Sequence, residues 1–198
     1  KTVELASNKW IDVRAFGQLF ALKNVKKAKK EKEKEVDEPV GDGDTGISIG
    51  IRGPVTVQSA FSVEPIDIAS TQITKSVSGE DTKGGKRSSD TMGMKHRVDK
   101  GIYVFFGSMN PQLAEKTKFG EDDAQAIKQV LPRLFENDES AARPAGSMEV
   151  LKVIWWRHNC KSGQYSSAKV HRTLTTMPDG QVEFTNLDGL EPEIIDGF

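Results

Sequence analysis

Residues 72–98 read Q-I-T-K-S-V-S-G-E-D-T-K-G-G-K-R-S-S-D-T-M-G-M-K-H-R-V, two strand-like ends around a centre that cannot pack a core. The first limb, Ile68 to Val77, carries β-branched residues at Ile68, Thr71, Ile73, Thr74 and Val77, which favour an extended chain. The second starts near Met92 and runs through Val98 into the apolar stretch Gly101 to Met109. Between them, Ser78 to Ser89 holds three glycines, three serines and mixed charges, the composition of a hairpin tip. Residues 72–100 carry seven bases against four acids, and Met92 and Met94 straddle Gly93 beside Lys95 and His96. A protruding basic hairpin with an apolar pair fits a nucleic-acid clamp, and the same composition fits a plain surface loop.

The flanking chain alternates strand and helix patterns. Upstream, Trp10 to Gly17 closes an apolar set (Ile11, Val13, Phe16) with a glycine terminator, and Arg14 faces either Asp12 or a phosphate. Residues 23–38 form a lysine/glutamate block with seven lysines and too few apolar residues to fold onto anything. Ile47 to Ile51 alternates as a strand that Gly53 and Pro54 break, which places Arg52 at its edge. Downstream, Gly101 to Met109 is apolar on both faces and predicts a central strand. Residues 121–137 repeat apolar positions by three and four, with acids in the first turn and Pro132 as a kink. Arg143 lies in a Pro/Gly-marked loop, and Glu149 to His158 predicts a strand with Trp155 and Trp156 on opposite faces, one in the core and one outside it. Residues 161–171 read as a polar connection, and 181–185 as a short edge strand before an acidic tail. The pattern predicts an α+β fold, with helices on one face of an antiparallel sheet of the RNA-recognition or ferredoxin-like type.

At 198 residues the chain is read as one domain, 1–198, with the hairpin 68–98 inserted in it. Hydrophobic residues make up 36%, low for a compact enzyme, so large interaction surfaces are expected. The net charge of −1 conceals six acids and no base in the last twenty residues, which leaves the rest basic. A single cysteine, Cys160, excludes an intrachain disulfide, and no apolar run nears the roughly 20 residues of a membrane span. A cytoplasmic protein without membrane contact is expected. His96, His158 and His171 are scattered, so a zinc site at His158 and Cys160 would need ligands from elsewhere. No nucleophile elbow or phosphate loop is present, and neither a metal nor a cofactor is expected. His96, beside Lys95 and Arg97, is the imidazole best placed to act as a base on a 2′-hydroxyl, and equally suits plain hydrogen bonding in a basic patch.

Several motifs occur together and in order: R-A-F-G (14–17), I-R-G-P-V (51–55), I-T-K-S-V (73–77), S-D-T-M-G-M-K-H-R-V (89–98), L-A-E-K-T (113–117), L-F-E-N-D (134–138) and Q-Y-S-S-A-K-V-H-R (164–172). In these the chain resembles the type I-C CRISPR Cascade backbone subunit, of the Csd2-like branch of the Cas-seven superfamily. The resemblance implies an RNA-recognition-like palm with a thumb hairpin over Ile68 to Val98. It implies copies stacked head to tail along one CRISPR RNA, beside other Cascade subunits, presenting the guide to a target DNA strand in antiviral defence without catalysis. Arg14, Arg52, Lys75, Lys95 and Arg97 fall on matching motif positions. His96 and Arg143 join them as expected RNA contacts, and Met92 and Met94 are the expected wedge between bases. The alternative is a CRISPR-associated ribonuclease that processes or cleaves RNA through His96. The family's first palm strand and Gly/Asn/Asp-rich loop find no match here, and the chain starts at Lys1, so an N-terminal truncation or unresolved first strand is expected.

Overall fold

The computed structural model describes residues 2–22, 47–74 and 92–198. The chain opens with α1 (Thr2–Lys9) and α2 (Ile11–Phe16), followed by β1 (Gly17–Leu22), β2 (Ile47–Arg52), β3 (Val55–Val57) and β4 (Phe61–Ser62). Then come β5 (Ile68–Thr74), β6 (Met92–Val98), β7 (Tyr103–Val104), β8 (Gly107–Met109), α3 (Pro111–Thr117) and α4 (Glu121–Val130), the last running into a 3-10 turn, Leu131–Arg133. The chain closes with β9 (Lys152–Trp156), α5 (Ser167–His171), β10 (Leu174–Thr176), β11 (Val182–Phe184) and β12 (Pro192–Asp196). The fold is mixed, and every strand pairing among the described residues is antiparallel and two-stranded: β1–β2, β3–β8, β4–β7, β5–β6, β9–β12 and β10–β11. The chain divides into two compact units, Lys1–Val57 with Gly107–Lys169 and Asn186–Phe198, and Gln58–Phe106 with Val170–Thr185. The described limbs of the hairpin expected at 68–98, β5 and β6, both belong to the second.

The first unit is built around two crossing glycines. Gly17 ends α2 at φ +87, a conformation that disfavours side chains, and a Cβ there would strike the Ile51 carbonyl. Gly53 is buried, and its Cβ would strike the carbonyl of Ala15. Thus R-A-F-G and I-R-G-P-V lie backbone against backbone. Around them Ala6, Val13, Ala15, Pro54 and Thr117 are buried. The Pro54 carbonyl accepts from the Asn110 N–H at 3.0 Å, and the Asn110 side chain caps α3 by accepting from the Gln112 N–H at 2.9 Å.

Helix α4 stops at Val130 and tightens into the 3-10 turn at Pro132, as expected for a ring that cannot continue the helix. Strand β9 pairs along its length with β12, so the acidic C-terminal stretch is no loose tail. Glu193 meets Lys128 at 2.6 Å and Asp196 meets Lys152 at 2.7 Å. Trp155 and Trp156 are each half-buried rather than one inside and one out, and the Lys128 ammonium stands 5.7 Å from the Trp155 ring.

In the second unit, the seven-rung β5–β6 ladder runs from Ile68↔Val98 to Thr74↔Met92. The central strand expected over 101–109 is instead two short pieces, β7 and β8, each with one neighbour, and Tyr103 and Phe105 are exposed. The break falls where pairing with residues 55–62 slips by one, since four steps from Val57 to Phe61 oppose three from Gly107 to Val104. Phe106 stacks on His171 with centroids 4.3 Å apart. Residues 161–171, expected as a plain connection, end in helix α5, from which Val170 is buried.

Candidate nucleic-acid interface

The ladder register sorts the hairpin residues by parity. Successive side chains of a strand point to opposite faces, so Met92, Met94, His96 and Val98 share one face with Ile68, Ser70, Gln72 and Thr74. Lys95 and Arg97 share the other with Ala69, Thr71 and Ile73. Bases and thioethers therefore do not stand side by side, as their adjacency in sequence suggests. The methionines are open, Met92 at 67% and Met94 at 56% exposure, so they form no satellite core among the described residues. On their face, the Gln72 amide donates to the Met92 sulfur at 3.2 Å, and Ser70 Oγ lies 2.8 Å from His96 Nδ1. On the other, Arg97 Nε donates to Asp99 at 2.6 Å, while Lys95 has no ion-pair partner among the described residues. Gly93 faces Ile73, where a Cβ would make an ordinary 3.5 Å contact, so steric crowding does not demand glycine there.

The remaining expected contacts lie apart. Arg14 is bidentate to Asp123, at 3.0 and 2.7 Å, and donates to the Ser7 carbonyl at 2.9 Å. The partner weighed for it in the sequence, Asp12, is not the one it takes. The Arg14 guanidinium holds the Asp123 carboxyl below the usual carboxylate range; burial opposes this and the Gly120 N–H assists it. Arg143 sits in a tight turn with Ser140 and pairs with Asp138 at 3.0 Å. Arg52 ends β2 opposite Gly17, exposed and without a carboxylate partner among the described residues. Lys75, the hairpin tip and the 23–38 block lie outside the described residues.

Among the described residues no cluster of three or more His, Cys, Asp or Glu side chains is arranged to hold a metal ion. No helix among them is long and apolar enough to cross a membrane. Burial lowers the His171 imidazole pKa against Phe106, which makes it a packing group. His158 Nδ1 accepts from the Gln164 N–H at 3.0 Å, and Tyr165 donates to the Asp188 carbonyl at 2.9 Å. The 164–172 motif thereby anchors the C-terminal loop.

The arrangement offers a two-faced arm suited to phosphates on one side and to planar apolar groups on the other. Compared with known families, residues 1–191 match the family described as CRISPR-associated protein Cas7. The chain belongs to the Cas7 family. Membership implies an RNA-binding backbone role in a Cascade-like complex, with CRISPR RNA and other Cas subunits as partners. No curated protein matches the chain. Sequence reasoning missed the split of the Cas7 hairpin into two faces, although the alternation in M-G-M-K-H-R-V carries it. It also missed Ser70, Gln72 and Asp123, whose roles arise only from cross-strand or distant pairing.

Proposed function

We propose that this Cas7 chain is the non-catalytic backbone subunit of a type I-C Cascade, of the Csd2-like branch. It polymerises head to tail along a CRISPR RNA in the cytoplasm and presents the guide to target DNA. Its palm is of the RNA-recognition type, and β5–β6 is its thumb. The observation that carries this reading is the two-faced hairpin, with Lys95 and Arg97 opposite Met92, Met94 and His96. A guide carrier must hold any sequence, so it needs cations for the phosphates and unselective apolar contact where the base stack opens. Methionine, unbranched and polarizable, meets any base face without reading its identity. Lys75 extends the basic character of the first limb in this reading. His96, held at Nδ1 by Ser70, is a contact residue.

Protein purified from cells carrying a CRISPR array should retain RNA of one uniform guide length, in particles whose mass scales with that length. Heterogeneous RNA, or none, contradicts the backbone reading. Incubation with repeat RNA and target RNA, with and without a divalent cation, should give no turnover. Cleavage that disappears in His96→Ala would establish the ribonuclease alternative.

A further inference from the structure

We propose that the shallow depression between the end of α2 and the first rungs of β1–β2 is a subsite for one unpaired nucleotide, its base against Phe16 and its phosphate on Arg52. This rests on the RNA-binding reading and adds a contact away from the hairpin, within the first unit.

Three observations combine here. Phe16 ends a helix whose Val13 and Ala15 are buried, yet its own ring is 56% exposed, and Leu19 beside it is 66% exposed. Gly50 leaves the floor open: it lines the depression with Gly17, Gln18, Leu19 and Ile51, and a Cβ on it would approach only Leu19, at 3.9 Å, whereas the side-chain direction at Gly17 is filled by the Ile51 carbonyl. A planar group can therefore lie close to the backbone and flat on the ring. Arg52 lines the same depression, opposite Gly17 in the ladder. Arg14, Arg97 and Arg143 each hold a carboxylate, whereas Arg52 holds none among the described residues. Among the described residues no acid lines this depression, in contrast to the cleft at the start of α4, where Glu121, Asp122 and Asp123 repel anions. An exposed aromatic face, open backbone at Gly50 and an uncommitted guanidinium fit a base joined to a phosphate.

Binding of fluorescein-labelled oligouridylate and oligodeoxythymidylate, followed by anisotropy across a salt series, tests the subsite. Phe16→Ala should weaken binding roughly ten-fold, Phe16→Tyr should stay within about two-fold of the parent, and Arg52→Ala should flatten the salt slope by about 0.7. Ultraviolet crosslinking should attach a nucleotide to the peptide containing Phe16. Because Phe16 is exposed, Phe16→Ala should melt with the parent, which separates a binding defect from a folding defect. A response confined to the ribo-oligomer assigns the subsite to the guide, and an equal response to both makes it a site for any single strand. Parent protein that binds RNA while all three variants bind equally, or crosslinks elsewhere, removes the subsite and leaves the backbone reading intact. Phe16→Ala that changes oligomeric state at unchanged RNA affinity makes the surface a protein contact and overturns the proposal. Parent protein that binds no RNA overturns both.

Discussion

Arg14 and Asp123 show how a residue's role is decided by a partner 109 positions away. The sequence marks Arg14 as a cation in a motif and Asp123 as a first-turn acid of a helix, and no local pattern joins them. With side-chain exposures of 20% and 12%, the pair is sheltered at the rim of a cleft open to water. Asp123→Asn should cost about 1.5 kcal/mol, the low end for a hydrogen bond to a charged group. The sign of the pH effect follows from the lowered carboxyl pKa: the stabilisation is complete above the unfolded carboxylate value, near 4, and fades as pH falls through the folded value. Thermal melts should therefore separate parent and variant at pH 7 and converge in strong acid. His171 behaves differently, since burial disfavours its charged form. Its contribution is full above about pH 6.5 and declines as pH falls, and His171→Phe should remove that mild-acid sensitivity. Ser7 Oγ is buried without a partner among the described residues, so Ser7→Ala should leave the melting temperature unchanged or raise it.

At the level of elements, local signals served well where pairing is local or strongly patterned. The limbs of the hairpin, the β2 break at Gly53-Pro54 and the kink at Pro132 were all legible, because β-branched alternation, glycine and proline act within a few residues. The acidic stretch was misread because E-P-E-I-I-D-G-F has adjacent isoleucines and no period of two. Only its ladder with β9 makes it a strand. The 101–109 run was misread because apolar faces do not reveal that two different neighbours take its halves. For the hairpin, single-substitution salt titrations should rank the two bases. Lys95→Ala should flatten the single-strand slope by about 0.7, and Arg97→Ala by less, because Asp99 already offsets that charge. Met92→Ala with Met94→Ala should leave thermal stability nearly unchanged while abolishing periodic reactivity of guide bases to a modifying probe. A drop of several degrees with the periodicity intact would place both methionines in packing instead.

Across the whole molecule, the buried apolar set of the described residues is small: Ala6, Val13, Ala15, Val170 and Leu190. Against it stand exposed large side chains from Leu5 to Phe198, the profile of a chain that completes its surface with partners. The low apolar content signalled this, although not where those surfaces lie. Removing residues 192–198 should destabilise the first unit itself, since it strips β9 of its only described neighbour. Glu193→Gln with Asp196→Asn keeps the strand and should cost at most about 1 kcal/mol per pair. Calorimetry of the two variants, with particle size measured alongside, distinguishes a folding role from an assembly role for the C-terminal stretch. Equal melts for parent and truncation would refute the folding role.

The alternation along β6 also constrains how this arm can change in length. One residue added inside the strand would either carry every side chain beyond it to the opposite face or be thrown out as a bulge. An insertion after Lys95 would bring Arg97 onto the face that carries Met92 and Met94, and the arm would mix its two chemistries without losing a single residue type. Viable variation inside the ladder should accordingly come in steps of two, with odd insertions relegated to the turn. A designed series of one-, two- and three-residue insertions after Lys95 would alternate between poor and good RNA retention, a counting rule written into the backbone rather than into any side chain.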